Sequence, residues 1–129
     1  MMRFVDPGAA GDTSLIVRRA PGTVVHVRAV TDESFDDDVL RAPRPVVVDF
    51  WAPSCVPCRA IESTLVELAA TSDRVEFVKL DVDDNPRTAA RYDVLSLPTV
   101  ILFAGGDARE TVHGSRSKRH FERAFAAYL

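Results

Sequence analysis

Cysteine is almost absent from this chain, with two residues in 129, Cys55 and Cys58. A zinc site wants four nitrogen or sulfur ligands. Beyond the two thiols the sequence offers only His26, His113 and His120, scattered and at no ligand spacing, so no metal is expected. Long apolar runs are missing as well. None approaches the length of a spanning helix, which argues against a membrane protein. An excess of positive charge is also lacking. The net charge is −3 and the basic residues are spread out, which argues against a nucleic-acid footprint. The small basic cluster at residues 113–119 reads as a solvated loop entering the last helix. No secretory signal is visible: Arg18-Arg19 is followed by Ala20-Pro21-Gly22-Thr23 and then by a strand pattern containing His26 and Arg28, which is no apolar core of a signal peptide. The expected setting is the cytoplasm, where thiols are kept reduced and persistent structural disulfides are rare.

A chain of this length is expected to form one domain, and at 47% hydrophobic residues it can bury a core. Residues 1–22, with Pro7, Gly8, Gly11, Pro21 and Gly22 around Leu15-Ile16-Val17, read as an extension of unknown role that could add a strand. Residues 23–129 read as the body. Residues 23–30 alternate apolar and polar and predict a strand. Residues 32–40 predict a short helix, stopped by Pro43 and Pro45. Residues 46–50, apolar apart from Asp49, fit a strand buried on both faces. Ile61, Leu65, Leu68 and Ala69 share one helical face. Residues 75–82 predict another strand, and Asn85-Pro86 opens a short helix with Asn85 as its cap. Residues 99–103 and 108–112 predict strands joined by a hairpin turn at Gly105-Gly106. Ser117 begins a closing helix with Phe121, Phe125 and Tyr128 inward. Strands alternating with helices and ending in a hairpin mean an α/β fold, a mixed sheet with helices on both faces.

The two cysteines lie in Trp51-Ala52-Pro53-Ser54-Cys55-Val56-Pro57-Cys58-Arg59, directly after the 46–50 strand. A Cys-x-x-Cys pair where a buried strand meets a helix is a redox signal. A helix N-terminus offers unpaired N–H groups and partial positive charge, which stabilise a thiolate. A purely structural bridge across two residues would constrain little of the unfolded chain. Asp49 stands in the apolar strand beneath the motif. Burial raises the pKa of a lone carboxylate, so Asp49 is a candidate proton acceptor, unless it escapes to the surface or simply pairs with Lys79. Pro98 stands at the entrance of the 99–103 strand. On base rates alone its peptide bond would be trans.

Residues 23–129 resemble thioredoxin along their whole length. The resemblance rests on Val47-Val48-Asp49-Phe50-Trp51-Ala52, Cys55-x-Pro57-Cys58-Arg59, residues 77–83, Asn85-Pro86 and Ser96-Leu97-Pro98-Thr99, with Gly105-Gly106 and Gly114. It implies a central mixed five-stranded sheet flanked by four helices. It implies a protein-disulfide reductase that works by dithiol–disulfide exchange. Cys55 would be the exposed nucleophile and Cys58 the buried resolving thiol. Asp49 would accept the proton of Cys58, with Lys79 nearby. Trp51 would brace the loop, its indole N–H directed towards Asp83. Pro98 would be cis, with the Leu97 backbone pairing with the client chain. Pro57, Leu97, His113 and Gly114 would rim the docking surface. No cofactor would be bound; reducing equivalents would come from NADPH through a thioredoxin reductase, and the protein would be a monomer serving disulfide-containing clients.

Three positions depart from the family. Ser54 and Val56 replace the usual tryptophan and glycine of Trp-Cys-Gly-Pro-Cys. Ser63 stands where a helix-kinking proline is common, which predicts a straighter helix. Ser54 and Val56 touch the docking rim and spare the chemical groups, so they bear on partner choice. They favour a second reading, a specialised oxidoreductase with a narrow client set. A third, of another class, is a binding module in which the cysteines are incidental; Asp49, Trp51 and Pro98 beside the pair argue against it.

Overall fold

The run Val46–Trp51 is the central strand of the molecule because almost every side chain in it is apolar and buried on one face or the other. The computed structural model describes residues 27–129 throughout, and before them the backbone of residues 16–18 and 24–26. Most of the 1–22 extension therefore lies outside the described residues. In chain order the elements are β1 (Ile16–Arg18), β2 (Val24–His26), β3 (Arg28–Ala29), α1 (Asp36–Leu40), β4 (Val46–Trp51), α2 (Val56–Thr71), β5 (Glu76–Asp81), α3 (Pro86–Arg91), β6 (Thr99–Ala104), β7 (Asp107–His113) and α4 (Lys118–Ala124). Five strands form a mixed sheet in the order β3-β5-β4-β6-β7. β3, β5 and β4 run parallel, while β6 and β7 join antiparallel. With the four helices among the described residues, this is the expected thioredoxin fold.

Side-chain alternation along β4 divides the interior in two. Val46, Val48 and Phe50 face a cluster with Val78, Leu80, Ile101 and Phe103, covered by Phe35 and Val39 from α1 and its entry and by Ala89 of α3. Val47 faces the other cluster, with Phe77, Val100 and Leu102 beneath Ile61, Leu65 and Leu68 of α2 and Phe121 of α4. A strand buried on both faces cannot show simple apolar–polar alternation, and β4 does not. Gly105 and Gly106 make the β6–β7 turn with φ of 61° and 86°, the left-handed pair that a tight two-residue hairpin requires. Ser117 caps α4, its side chain accepting from the His120 N–H at 3.1 Å.

Three sequence expectations need correction. The strand predicted over residues 23–30 is broken at Val27: β2 pairs with β1 in a separate two-stranded ribbon, and β3 pairs with β5. Val27 turns into the core at the point where the chain changes partners. The helix predicted over residues 32–40 becomes regular only at Asp36 and is wound wide, the Arg41 N–H donating to the Asp36 carbonyl at 2.9 Å. Asn85 does not cap α3 with its side chain. That carboxamide instead accepts from the Asp32 N–H at 2.9 Å and donates to the Asp81 carbonyl at 3.0 Å. The cap comes from Asp32, whose carboxylate accepts from the N–H groups of Arg87 at 3.1 Å and Thr88 at 2.8 Å and from the Thr88 hydroxyl at 2.6 Å. α2 runs unbroken for 16 residues through Ser63.

Candidate active site

The carboxyl end of β4 delivers Trp51 and a tight turn, the Cys55 N–H donating to the Ala52 carbonyl at 3.0 Å. α2 then starts with Cys55 as its N-cap. Its Sγ takes the place of the oxygen that usually caps a helix, accepting from the Cys58 N–H at 3.1 Å. Pro57 sits in the first turn, where its missing N–H costs no helical hydrogen bond. Cys55 and Cys58 are joined in a disulfide, with Cα atoms 5.3 Å apart. Cys58 is 3% exposed, whereas Cys55 is partly exposed. The more exposed sulfur, that of Cys55, is the one at the N-terminus of α2, the positive end of the helix dipole. The Arg59 guanidinium donates to the Pro53 carbonyl at 3.0 Å and ties the loop to the helix.

Asp49 does not escape to the surface. It is 7% exposed and stands beside Lys79, 5% exposed, in the β4–β5 register. Its Oδ1 has no hydrogen-bond partner among the described residues. Burial pushes its carboxyl up to about 7, with the negative charge of Glu62 adding to the push and Lys79 opposing it. The Lys79 ammonium also lies 5.5 Å from the centre of the Trp51 ring, within cation–π range.

One expected contact is not formed. The Trp51 indole N–H is buried without a hydrogen-bond partner among the described residues, so it does not reach Asp83. Asp83 is exposed, because the turn after β5 is folded on Asp81, whose carboxylate accepts from the Asp83 N–H at 2.9 Å. Trp51 is held through its backbone, its carbonyl accepting from the Val82 N–H at 2.9 Å.

Two other segments, residues 95–99 and 113–114, reach the same end of the sheet. The Leu97–Pro98 bond is cis, as the resemblance implies. Thr99, next in sequence, is the register partner of Phe50 on β4 and of His113 on β7. That register brings Leu97, Pro98, His113 and Gly114 to the sheet end from which Trp51 and the Cys pair emerge. The Gly114 N–H donates to the Pro98 carbonyl at 2.9 Å, with Gly114 at φ 84°. Ser54 is exposed, and Val56 is 65% exposed beside Cys55. Two residues escaped sequence reasoning. Leu95, 92% exposed in the loop before Leu97, carries no pattern that distinguishes it from a core leucine. Glu62 was legible in principle, since it follows Cys58 by one helical turn. Among the described residues no group of His, Cys, Asp and Glu could hold a metal ion, and no helix is long and apolar enough to cross a membrane.

The thioredoxin family model matches residues 26–127. The chain is 44% identical to a thioredoxin of Streptomyces clavuligerus over 92 residues, covering 71% of this chain and 86% of that protein. It is 41% identical to a thioredoxin of a Synechocystis species over 101 residues, 78% of this chain and 94% of that one. It is 39% identical to the chloroplastic thioredoxin M2 of Arabidopsis thaliana over 115 residues, 88% of this chain but only 62% of that longer one. With this match, these identities and a Cys-x-x-Cys pair bonded at a helix start, the chain belongs to the thioredoxin family and is a thiol–disulfide oxidoreductase working by dithiol–disulfide exchange.

Proposed function

We propose that Cys55 is the attacking thiolate and Cys58 the resolving thiol of a protein-disulfide reductase. The observation that carries this assignment is the difference in access: Cys58 is sealed, while Cys55 is partly exposed with a backbone N–H aimed at its sulfur. The reduced Cys55 thiolate attacks a client disulfide, forms a bond to one client sulfur and releases the other as a thiolate. Asp49 takes the proton of Cys58. The Cys58 sulfur then bonds to Cys55, and the second client sulfur leaves with the electron pair of the bond that breaks. The client has gained two electrons and the Cys55–Cys58 pair has lost them. Lys79 supports the charged form of Asp49, and Trp51, Pro57 and Pro98 shape the surround. Asp83 is kept as a support residue of the turn after β5, without the contact to Trp51. Leu97, His113, Gly114, Ser54 and Val56 form the surface that a client meets.

Residues 23–129 are read as the working domain and residues 1–22 as an extension, in a monomer. A thioredoxin reductase using NADPH is the proposed source of electrons, in a reducing compartment that we read as the cytoplasm. Exposed Val56 and Leu95 favour a narrowed set of clients and reductants over a general one. Trapping with Cys58→Ser tests the reaction, because the variant lacks the resolving sulfur and should hold clients as mixed disulfides through Cys55. Recovery of no mixed disulfide, together with no reduction of insulin by the wild type in dithiothreitol, would refute it.

A further inference from the structure

Glu62 follows Cys58 by four residues, which places the two on one face of α2. Glu62, with Leu65 and Val66 of α2, closes a narrow cavity of about 10 Å³, close to what one water molecule needs. The walls are valine, leucine and phenylalanine apart from Asp49, Glu62 and Lys79. Two carboxyl groups therefore share one small apolar cavity with one ammonium group. Asp49 and Lys79 are sealed, and Glu62 is the half-buried member of the three. The ionisable groups that line this cavity with Asp49 and act on it are Glu62 from α2 and Lys79 from β5. Its β6 neighbour, Val100, brings none.

In an apolar cavity a second carboxylate, Glu62, disfavours the ionisation of Asp49, and the Lys79 ammonium opposes that push. Building on the disulfide-exchange reading above, we propose that Glu62 is a positioning residue for the resolving step, acting through Asp49 to keep a proton in the cavity and so to set the pH at which the step switches on. In that step the Asp49 carboxylate takes the Cys58 proton. The Cys58 sulfur forms the bond to Cys55, and the client thiolate departs with the electron pair of the broken Cys55–client bond. The proton then leaves Asp49 for water on the side where the half-buried Glu62 meets solvent. The raised carboxyl of Asp49, with Glu62 second only to burial among its causes, agrees with the shared cavity.

The test uses Glu62→Gln, which keeps shape and removes charge, and Glu62→Lys, which reverses it. The Asp49 carboxyl carbon is followed by NMR against pH in the oxidised protein, a readout that needs no turnover. The midpoint should fall by about half a pH unit in the glutamine variant and further in the lysine variant. The acid limb of single-turnover release of client from the mixed disulfide should move down by the same amount. A side chain that merely packs would change stability and leave both midpoints in place; an unchanged midpoint in Glu62→Gln would overturn the proposal. A midpoint that moves in a protein exchanging no disulfides would instead overturn the reductase reading, and with it the role in resolution.

Discussion

Asp49 and Lys79 are register partners on adjacent parallel strands, and both are sealed from water. An acid and a base in that relation could simply neutralise each other. Here they do not, because burial and the Glu62 charge outweigh the pull of Lys79 and leave the Asp49 carboxyl raised to about 7.

The consequence for stability has a definite sign. The folded value lies above the unfolded one, so the native state holds the extra proton between them, and stability falls as pH rises from about 4 to about 7. A rise from 3.8 to about 7 corresponds to a penalty of at most about 4 kcal/mol above neutrality, at 1.36 kcal/mol per pH unit. Asp49→Asn should therefore be more stable than wild type at pH 8 and no more stable below pH 4. Urea unfolding of the oxidised proteins at both pH values checks this; an equal gain at both would contradict it. The same variant should release client from the mixed disulfide more slowly, since Cys58 loses its proton acceptor.

Asp32 should matter more than an acid in a surface turn usually does. Burial works to raise its carboxyl, but the Thr88 hydroxyl, the N–H groups of Thr88 and Arg87, and the Arg87 charge together hold it below the ordinary value. That contribution is present above the unfolded pKa and is lost as the pH falls through the lower folded one. Asp32→Ala removes the cap of α3 and should cost about 1–2 kcal/mol near neutral pH, with a smaller loss in strong acid. A loss that does not diminish at low pH would show that the carboxylate charge is not what holds α3.

Reduced protein treated with iodoacetamide at mildly acidic pH should be labelled at Cys55 first. The expectation follows from the exposure of Cys55 and the Cys58 N–H held against its sulfur. Mass spectrometry of digests at short times decides it, and prior labelling of Cys58 would reverse the assignment of nucleophile.

Val56 is exposed beside Cys55, and Ser54 offers no aromatic anchor. Crowding by an isopropyl group weakens solvation of a thiolate, which disfavours the charged form. One buried aromatic anchor can contribute about 2 kcal/mol to an interface, or about thirtyfold in affinity. Wild type should therefore be a poor substrate for a generic thioredoxin reductase, and Ser54→Trp with Val56→Gly should improve it several-fold. NADPH oxidation at matched concentrations measures the difference; equal rates would remove these positions from partner choice.

Much of the site is local in sequence and could be read there. Cys55, Pro57 and Cys58 lie within four residues at a strand-to-helix junction, and the periodicity that builds α2 is carried by neighbours on one turn after another. The 46–50 run declares a buried strand, and Asp49 within it declares an anomaly. What the chain could not show is which distant groups answer these. Asp32 caps a helix that begins at Pro86, and Asn85, the natural cap by position, is taken up elsewhere. Caps are chosen by geometry, and two turns meeting in space can exchange them. The indole of Trp51 lost Asp83 because the turn after β5 folds on Asp81. Val27 ends one strand pairing and admits another, although its pattern runs on. Leu95 has the composition of a core residue and the exposure of a surface one. Sequence pattern fixes which face of an element is apolar; only the packed sheet determines whether that face finds a partner, and only the packed cavity determines that Glu62 shares Asp49's low-dielectric surroundings, where one charge changes the ionisation of another.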